Sequence, residues 1–593
     1  MEARLLERKE AAVGEEQSLE VFEKYVAPRP WTRFYDEGVP VDVEVPEVPL
    51  YRFLDESSSR FPGRTALIFY GRRVSYGELR DAVDRLANAM SERWGVGPGD
   101  RVAIFLPNSP QFAVAYYAAL KTGAAVTPVN VLYTGFELAR QLRKSGARVL
   151  VALDLFYDKV LEAIQRHGAR LDAVVFTSVA DYLPRLKSVL YRLAARPPRP
   201  RLDGERFVSL RGLLREHSPR PPRVSIDPRE DLAALMFTGG TTGVPKGTML
   251  THYNLVANVV QVDAWWRRGS KARDVMVGVL PWFHIYGQTV VLHVGVYRAA
   301  TILVYPRFEM ERILSDIGRY RANVFHGVPT IYSKILSLPE EKLRRYQLGS
   351  LEVCISGAGA LPRAVAERFE KLTGAKLREG YGLTEASPVT HINPIYGEAR
   401  PGSIGVPVPG TLAAVADPEK PVLLPPGETG EIVVSGPQVM KGYLDEEETR
   451  RVMFECCGRR WLRTGDMGYM DEDGYFYIVD RKKDVIKYKG YSVYPREIEE
   501  VLYMHPCVQD AAVIGVPHPH VGERIKAFVA PKPGCEDRVT PEEILEHARR
   551  HLAPYKVPKE VEVRKELPKS AVGKILRRVL REEELRRRKQ GGA

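Results

Sequence analysis

The sequence predicts an α/β protein. A large N-terminal domain of parallel and mixed sheets with helices is followed by a separate small α+β domain at the C-terminus. Three observations lead there. From about residue 64, apolar strand-like runs alternate with helix-like segments, the pattern of parallel sheets covered on both faces. Residues 483–593 change texture to short strands, prolines and dense charge. The 593 residues, 44% hydrophobic and 27% charged, hold apolar material for several cores, about four at roughly 150 residues each.

Each element follows from local chemistry. TALIFY (65–70) is a β-branched and aromatic run that stops at the turn Gly71-Arg72. Ser75 stands three residues before Glu78, the spacing of a capping box, and Leu79, Val83, Leu86 and Met90 then recur at helical intervals. RVAIFLP (101–107) reads as a buried strand, residues 110–123 as a helix and AAVTPVN (124–130) as a strand; residues 136–146 and 147–153 repeat the alternation. Residues 180–225 interrupt it as a basic insertion. Within it Leu183, Leu186, Leu190 and Leu193 form one helical stripe among Arg185, Lys187, Arg192 and Arg196. The stripe is short, so a surface helix packed on its own domain is the first reading and a membrane-seeking face the second. LAALMFT (232–238) is a short apolar strand. Asp473-Gly474 marks a hairpin turn, a helix starts after Pro495, and RRVLREEELRRRKQGGA is a helix trailing into a disordered tail.

The net charge of +12 favours anionic partners: nucleotides, coenzyme phosphates, acidic membrane surfaces or nucleic acid. No aromatic-interleaved RNA motif or helix-turn-helix supports the last of these. The five cysteines show no CxxC spacing, so neither a zinc ribbon nor a disulfide framework is indicated and a cytoplasmic location is expected. The first residues carry charge where an export signal needs an apolar core, and no stretch reaches the ~20 apolar residues that cross a bilayer. Peripheral contact at the inner face of a membrane and a homodimer are both compatible with the chain.

Beyond the strand 232–238 comes FTGGTTGVPKGTMLTH (237–252), with four glycines, three threonines and a lysine within its first eleven residues. Open α/β sheets bind ligands at strand ends. Glycines let backbone N–H groups approach an anion, threonine hydroxyls add donors and Lys246 adds charge, so the loop suits a polyphosphate. It is not a Walker A loop, because Pro245 precedes Lys246 and Gly247 follows it. The alternative is a plain flexible turn.

This loop resembles the phosphate loop of the AMP-forming acyl-CoA synthetases and their adenylating relatives. PWFHIYG (281–287), ISGAGALP (355–362), EGYGLTEASP (379–388), the stretch 461–499 and PKSAVGKILRR (568–578) resemble further motifs of that family, in the family's order. The resemblance implies a domain of residues 1–482 that forms an acyl adenylate and carries a small β-rich subdomain, and a small mobile domain of residues 483–593. It implies ATP, Mg²⁺ and coenzyme A as cofactor and co-substrates. Gly240, Thr241, Thr242, Gly243 and Lys246 would hold the β- and γ-phosphates, and Glu385, assisted by Thr238, the metal. Thr384 would donate to the α-phosphate. Tyr381 would stack on adenine, with Gly357, Ala358, Glu379, Gly380 and Gly382 about it, and Asp466 and Arg481 would bind the ribose.

Lys574 is the expected catalytic residue of adenylation, a cation between carboxylate and α-phosphate; a surface lysine in a basic tail is the alternative. His284 is expected near the acyl carboxylate, against the reading of a satisfied core histidine, and Val328 near the acyl chain. Lys483 is the implied hinge, which would bring the region Lys487–Gly490 into play for the coenzyme A step. His518 and His520 read as a loop without a metal role. Gly239 in the phosphate loop and the segment from Arg29 point toward a medium- or long-chain fatty acid. The rivals are an acyl-AMP ligase loading a carrier protein, a ligase for an aryl or other acid and, from a different class, a basic membrane or nucleic-acid binding module.

Overall fold

The structure is a computed structural model and describes residues 14–194, 197–238, 245–266, 271–488, 491–518, 521–570 and 573–591, with the side chains of 238, 491, 492 and 589–591 outside this set. The chain forms two compact units: Trp31–Leu412 with Ser435–Met453, and Met1–Pro30 with Ala413–Val434 and Phe454–Ala593.

Two sheets build the larger unit. In one of eight strands, Leu232–Thr238, Ala125–Pro128, Arg101–Phe105, Val149–Leu153, Ala173–Thr177 and Phe207–Ser209 lie side by side and parallel. Lys246–Thr251 and Gly442–Tyr443 extend it antiparallel at one edge. The second sheet, of nine strands, is likewise parallel through its middle and antiparallel at its edges. The helices on these sheets begin where the sequence places their caps. Ser75 Oγ accepts from Glu78 N–H at 3.1 Å, and Glu78 Oε2 accepts from Ser75 N–H at 2.7 Å. The helix Tyr76–Trp94 then buries Leu79, Val83, Leu86 and Met90 completely. Such a cap contributes about 1 kcal/mol; burial of the apolar stripe contributes more, at about 1.5–3 kcal/mol per side chain.

The insertion forms a solvated surface helix on its own unit, in line with its first reading, but with the leucine stripe turned outward. The helix Arg185–Ala194 has no buried residue, and Leu186, Leu190 and Leu193 are exposed instead of packed on the unit. Leu183 precedes the helix and is buried. The reason is that the helix is held by its polar edge. Lys187 Nζ donates to the Tyr70 carbonyl at 2.9 Å, Ser188 Oγ donates to the Ala180 carbonyl at 2.9 Å, and Arg192 lies 3.6 Å from Asp181.

The smaller unit carries a six-stranded and a five-stranded sheet. The strands Arg459–Met470 and Phe476–Arg481 pair antiparallel about the expected turn, where Gly474 has φ +87° and donates to the Asp471 carbonyl. The helix Pro495–Tyr503 starts on its proline, whose missing N–H costs nothing there. The β-rich segments 413–434 and 454–482 group with the C-terminal residues, so compactness divides the chain elsewhere than at 482/483. Arg577 accounts for part of this. Its guanidinium reaches Asp480 at 2.8 Å, Asp484 at 3.3 Å and Glu499 at 2.8 Å, tying both sides of residue 482 to the C-terminal helix Arg577–Gly591.

Candidate active site

In the larger unit, strand Leu232–Thr238 turns back as Lys246–Thr251, with Thr238 opposite Lys246. The glycine-rich loop therefore leaves the carboxyl end of a strand whose other neighbour is parallel to it. Gly240, Thr241, Thr242 and Gly243 lie outside the described residues, as does the Thr238 side chain. The base of the loop is anchored: Lys144 Nζ donates to the Pro245 carbonyl at 2.6 Å. Lys246 forms an ion pair with Glu448, and its ammonium stands 5.1 Å from the Tyr443 ring centre.

Tyr443 also reaches Glu385. Its hydroxyl donates to Glu385 Oε1 at 2.7 Å, while Met440 N–H donates to the Glu385 carbonyl at 2.8 Å. Burial, and then the Glu385 charge, push the Tyr443 hydroxyl far above the ordinary phenol range, so it remains a donor. Glu385 sits in the short turn Thr384–Ala386, half-buried, and among the described residues no donor reaches its Oε2. One carboxylate oxygen is held and the other is available, which suits a hard cation. Tyr443 and Glu448 are absent from the motif-based set. Nothing local in the sequence marks them: Glu448 is 202 residues from Lys246, and Tyr443 is 58 from Glu385.

Strands Val353–Ser356 and Lys376–Gly382 are parallel neighbours with Ser356 opposite Glu379. Gly357 and Ala358 follow the end of one, and Glu379, Gly380, Tyr381 and Gly382 finish the other. Space dictates the glycines. A Cβ on Gly357 would lie 2.9 Å from the Tyr286 ring, and one on Gly382 would lie 2.1 Å from the Pro388 carbonyl oxygen. Ala358 has φ +65°. Tyr381 is half-buried with its ring 5.9 Å from His391, and buried Glu379 accepts from Leu361 N–H at 3.0 Å. His284 Nδ1 accepts from Tyr286 N–H at 3.2 Å, which puts the neutral ring's proton on Nε2. Val328 is buried at the head of the helix Pro329–Leu336.

The smaller unit holds the remaining residues. Asp466 is buried on its strand opposite Arg481, and the two side chains form an ion pair at 3.2 Å. Lys483 lies in the turn that follows Arg481; crowding and then Arg481 lower its pKa. Lys487 is exposed on strand Ile486–Tyr488, and Gly490 and His520 lie outside the described residues. His518 closes strand Val508–His518 instead of lying in a loop. Lys574 stands on a small hairpin: its N–H donates to Ser570 Oγ at 3.2 Å, and its carbonyl accepts from Ser570 N–H at 2.7 Å. Atoms crowded about its ammonium push its pKa down to about 7, with Arg481 adding to the fall and Asp466 opposing it. The residue is nevertheless exposed, and water screens part of that shift, so its direction carries the chemistry.

Residues 54–444 match the family model described as AMP-binding enzyme, and residues 497–574 match its C-terminal domain. A long-chain-fatty-acid–CoA ligase of Bacillus subtilis is 44% identical over 561 residues, 94% of this chain and 98% of that protein. One of Salmonella typhimurium is 36% identical over 93% of this chain and 98% of that protein. Among solved structures, ATP-bound MatB of Rhodopseudomonas palustris superimposes with a TM-score of 0.76 at 30% identity, covering 90% of this chain and 99% of that one. A long-chain-fatty-acid-CoA ligase (FadD1) of Archaeoglobus fulgidus gives 0.65 at 27% identity, covering 89% and 99%.

Proposed function

This chain belongs to the AMP-binding enzymes, and from that premise we propose that it is an AMP-forming acid–thiol ligase acting on long-chain fatty acids. A carboxylate is a poor electrophile. In the first half-reaction its oxygen bonds to the α-phosphorus of ATP, the bond to the β-phosphate oxygen breaks, and pyrophosphate leaves. In the second, the coenzyme A sulfur attacks the acyl carbon, the bond to AMP breaks, and the thiol proton is released. Positioning and charge neutralisation are what the protein supplies.

The observation that carries this reading is the pairing of Lys246 and Glu385 about one tyrosine, a phosphate-binding cation beside an oriented carboxylate. Glu385 fits Mg²⁺, which when bound neutralises phosphate charge. Lys246 and the loop before it grip the triphosphate tail. Thr384 donates to the α-phosphate, and Tyr381 stacks on adenine against the Gly357–Ala358 wall. His284 presents Nε2–H to the acyl carboxylate, and Val328 borders the chain. Asp466 and Arg481 hold the ribose hydroxyls. Lys574 offsets the repulsion between carboxylate and α-phosphate, and Lys483 is the pivot between half-reactions, with Lys487 and Gly490 serving the coenzyme A step.

The test is incubation with ATP, Mg²⁺, coenzyme A and a series of fatty acids. AMP, pyrophosphate and acyl-CoA in equal amounts are expected. AMP without thioester would transfer the second step to a carrier protein, and ADP as product would overturn the mechanism.

A further inference from the structure

We propose that the exposed helix Arg185–Ala194 docks the protein onto an anionic lipid surface. Leu186, Val189, Leu190 and Leu193 are 72%, 55%, 56% and 69% exposed. They recur at i, i+3, i+4 and i+7, so they share one arc of about 100° on a helix. An ordinary surface helix turns such a stripe inward. Here the polar edge faces the protein, through Lys187, Ser188 and Arg192, and the aliphatic stripe faces out. Contiguous apolar exposure of this kind marks a surface that something covers.

Charge identifies what covers it. Residues 185–215 contain nine basic and two acidic side chains. Behind the helix is a cavity of about 510 Å³ whose rim carries Arg72, Arg185, Arg192, Arg211 and Arg215 against one carboxylate, Asp181. Aliphatic side chains flanked by arginines fit a membrane interface, with the apolar arc among acyl chains and the guanidinium groups among headgroup phosphates. A second copy of the same face would set these positive charges against themselves. Among the described residues no helix is long and apolar enough to cross a membrane, so the contact is lateral.

The experiment is co-sedimentation of the full chain with vesicles of phosphatidylcholine alone or mixed with phosphatidylglycerol. The full chain is compared with a Leu186→Ser, Leu190→Ser, Leu193→Ser variant and with an Arg211→Glu, Arg215→Glu variant. The wild type is expected to bind the anionic vesicles roughly ten-fold or more over the neutral ones at low salt, and added salt is expected to weaken that binding. The serine variant should lose binding to both kinds of vesicle, and the glutamate variant should lose the preference for anionic ones. Unchanged melting temperature and unchanged activation of a soluble short-chain acid show that the variants are folded. Wild type that stays in solution, equal binding of neutral and anionic vesicles, or a serine variant that still binds would each overturn the proposal. Self-association without vesicles that the serine variant abolishes would reassign the stripe to a second copy of the chain. Binding is read without turnover, so it stands or falls separately from the ligase reading.

Discussion

Replacing Tyr443 by phenylalanine removes one oxygen and leaves the ring beside Lys246. What is lost is the 2.7 Å hydrogen bond that fixes Glu385 Oε1. Hydrogen bonds to a charged group contribute about 1.5–3 kcal/mol, and because Glu385 is half-buried, water takes over part of the role. The lower end, about 1.5 kcal/mol, is a factor of about ten in an equilibrium constant. We expect the Mg²⁺ concentration for half-maximal ATP–pyrophosphate exchange to rise about ten-fold, with the rate recovering at saturating Mg²⁺. Thiolysis of supplied acyl-AMP involves no pyrophosphate and should keep its wild-type rate. An unchanged Mg²⁺ dependence, or equal damage to thiolysis, would refute the role assigned to the hydroxyl.

Lys574→Ala should abolish acyl-AMP formation and spare thiolysis of supplied acyl-AMP, as measured in the separated half-reactions; equal loss in both removes Lys574 from adenylation. Its lowered pKa means that the free enzyme loses this cation at a lower pH than an ordinary lysine would. Therefore kcat/KM for ATP in exchange should fall on the alkaline side, and Lys574→Arg, charged throughout, should flatten that limb; a limb that survives belongs to another group. Lys483→Pro should slow thioester formation more than pyrophosphate exchange, and an unchanged ratio would deny the pivot. Arg577→Met strands Asp480 and Glu499, both buried, and should cost about 3 kcal/mol in denaturant unfolding. A loss below about 1 kcal/mol would show that water satisfies those carboxylates.

Local chemistry was legible in the sequence. The capping box at Ser75, the strand 232–238, the Asp473-Gly474 turn and the proline-led helix at 495 each depend on a few adjacent residues, and each stands in the structure. The insertion shows where periodicity stops. A repeat of i, i+3, i+4 and i+7 fixes which face of a helix is apolar but not which way that face points. Orientation came from Tyr70, Ala180 and Asp181, acceptors supplied from outside the helix. Tyr443, Glu448 and the Arg577 cluster escaped for the same reason, because long-range pairing leaves no spacing to read.

The two lysines to which the proposal gives the chemistry stand in different environments. Glu448 pairs with Lys246, and in the proposed role phosphate would compete with that carboxylate. The atoms crowded about Lys574, and then Arg481, disfavour its proton, and Asp466 opposes them. A lysine depressed in this way gains its proton most strongly when an anion arrives, since two phosphate or carboxylate oxygens reverse the field that Arg481 imposes. In the proposed role its charge would then be worth more to the transition state, where negative charge is concentrated, than to the resting protein, where it is disfavoured. Differential stabilisation of that sort lowers a barrier, whereas a cation equally content in both states would only tighten binding.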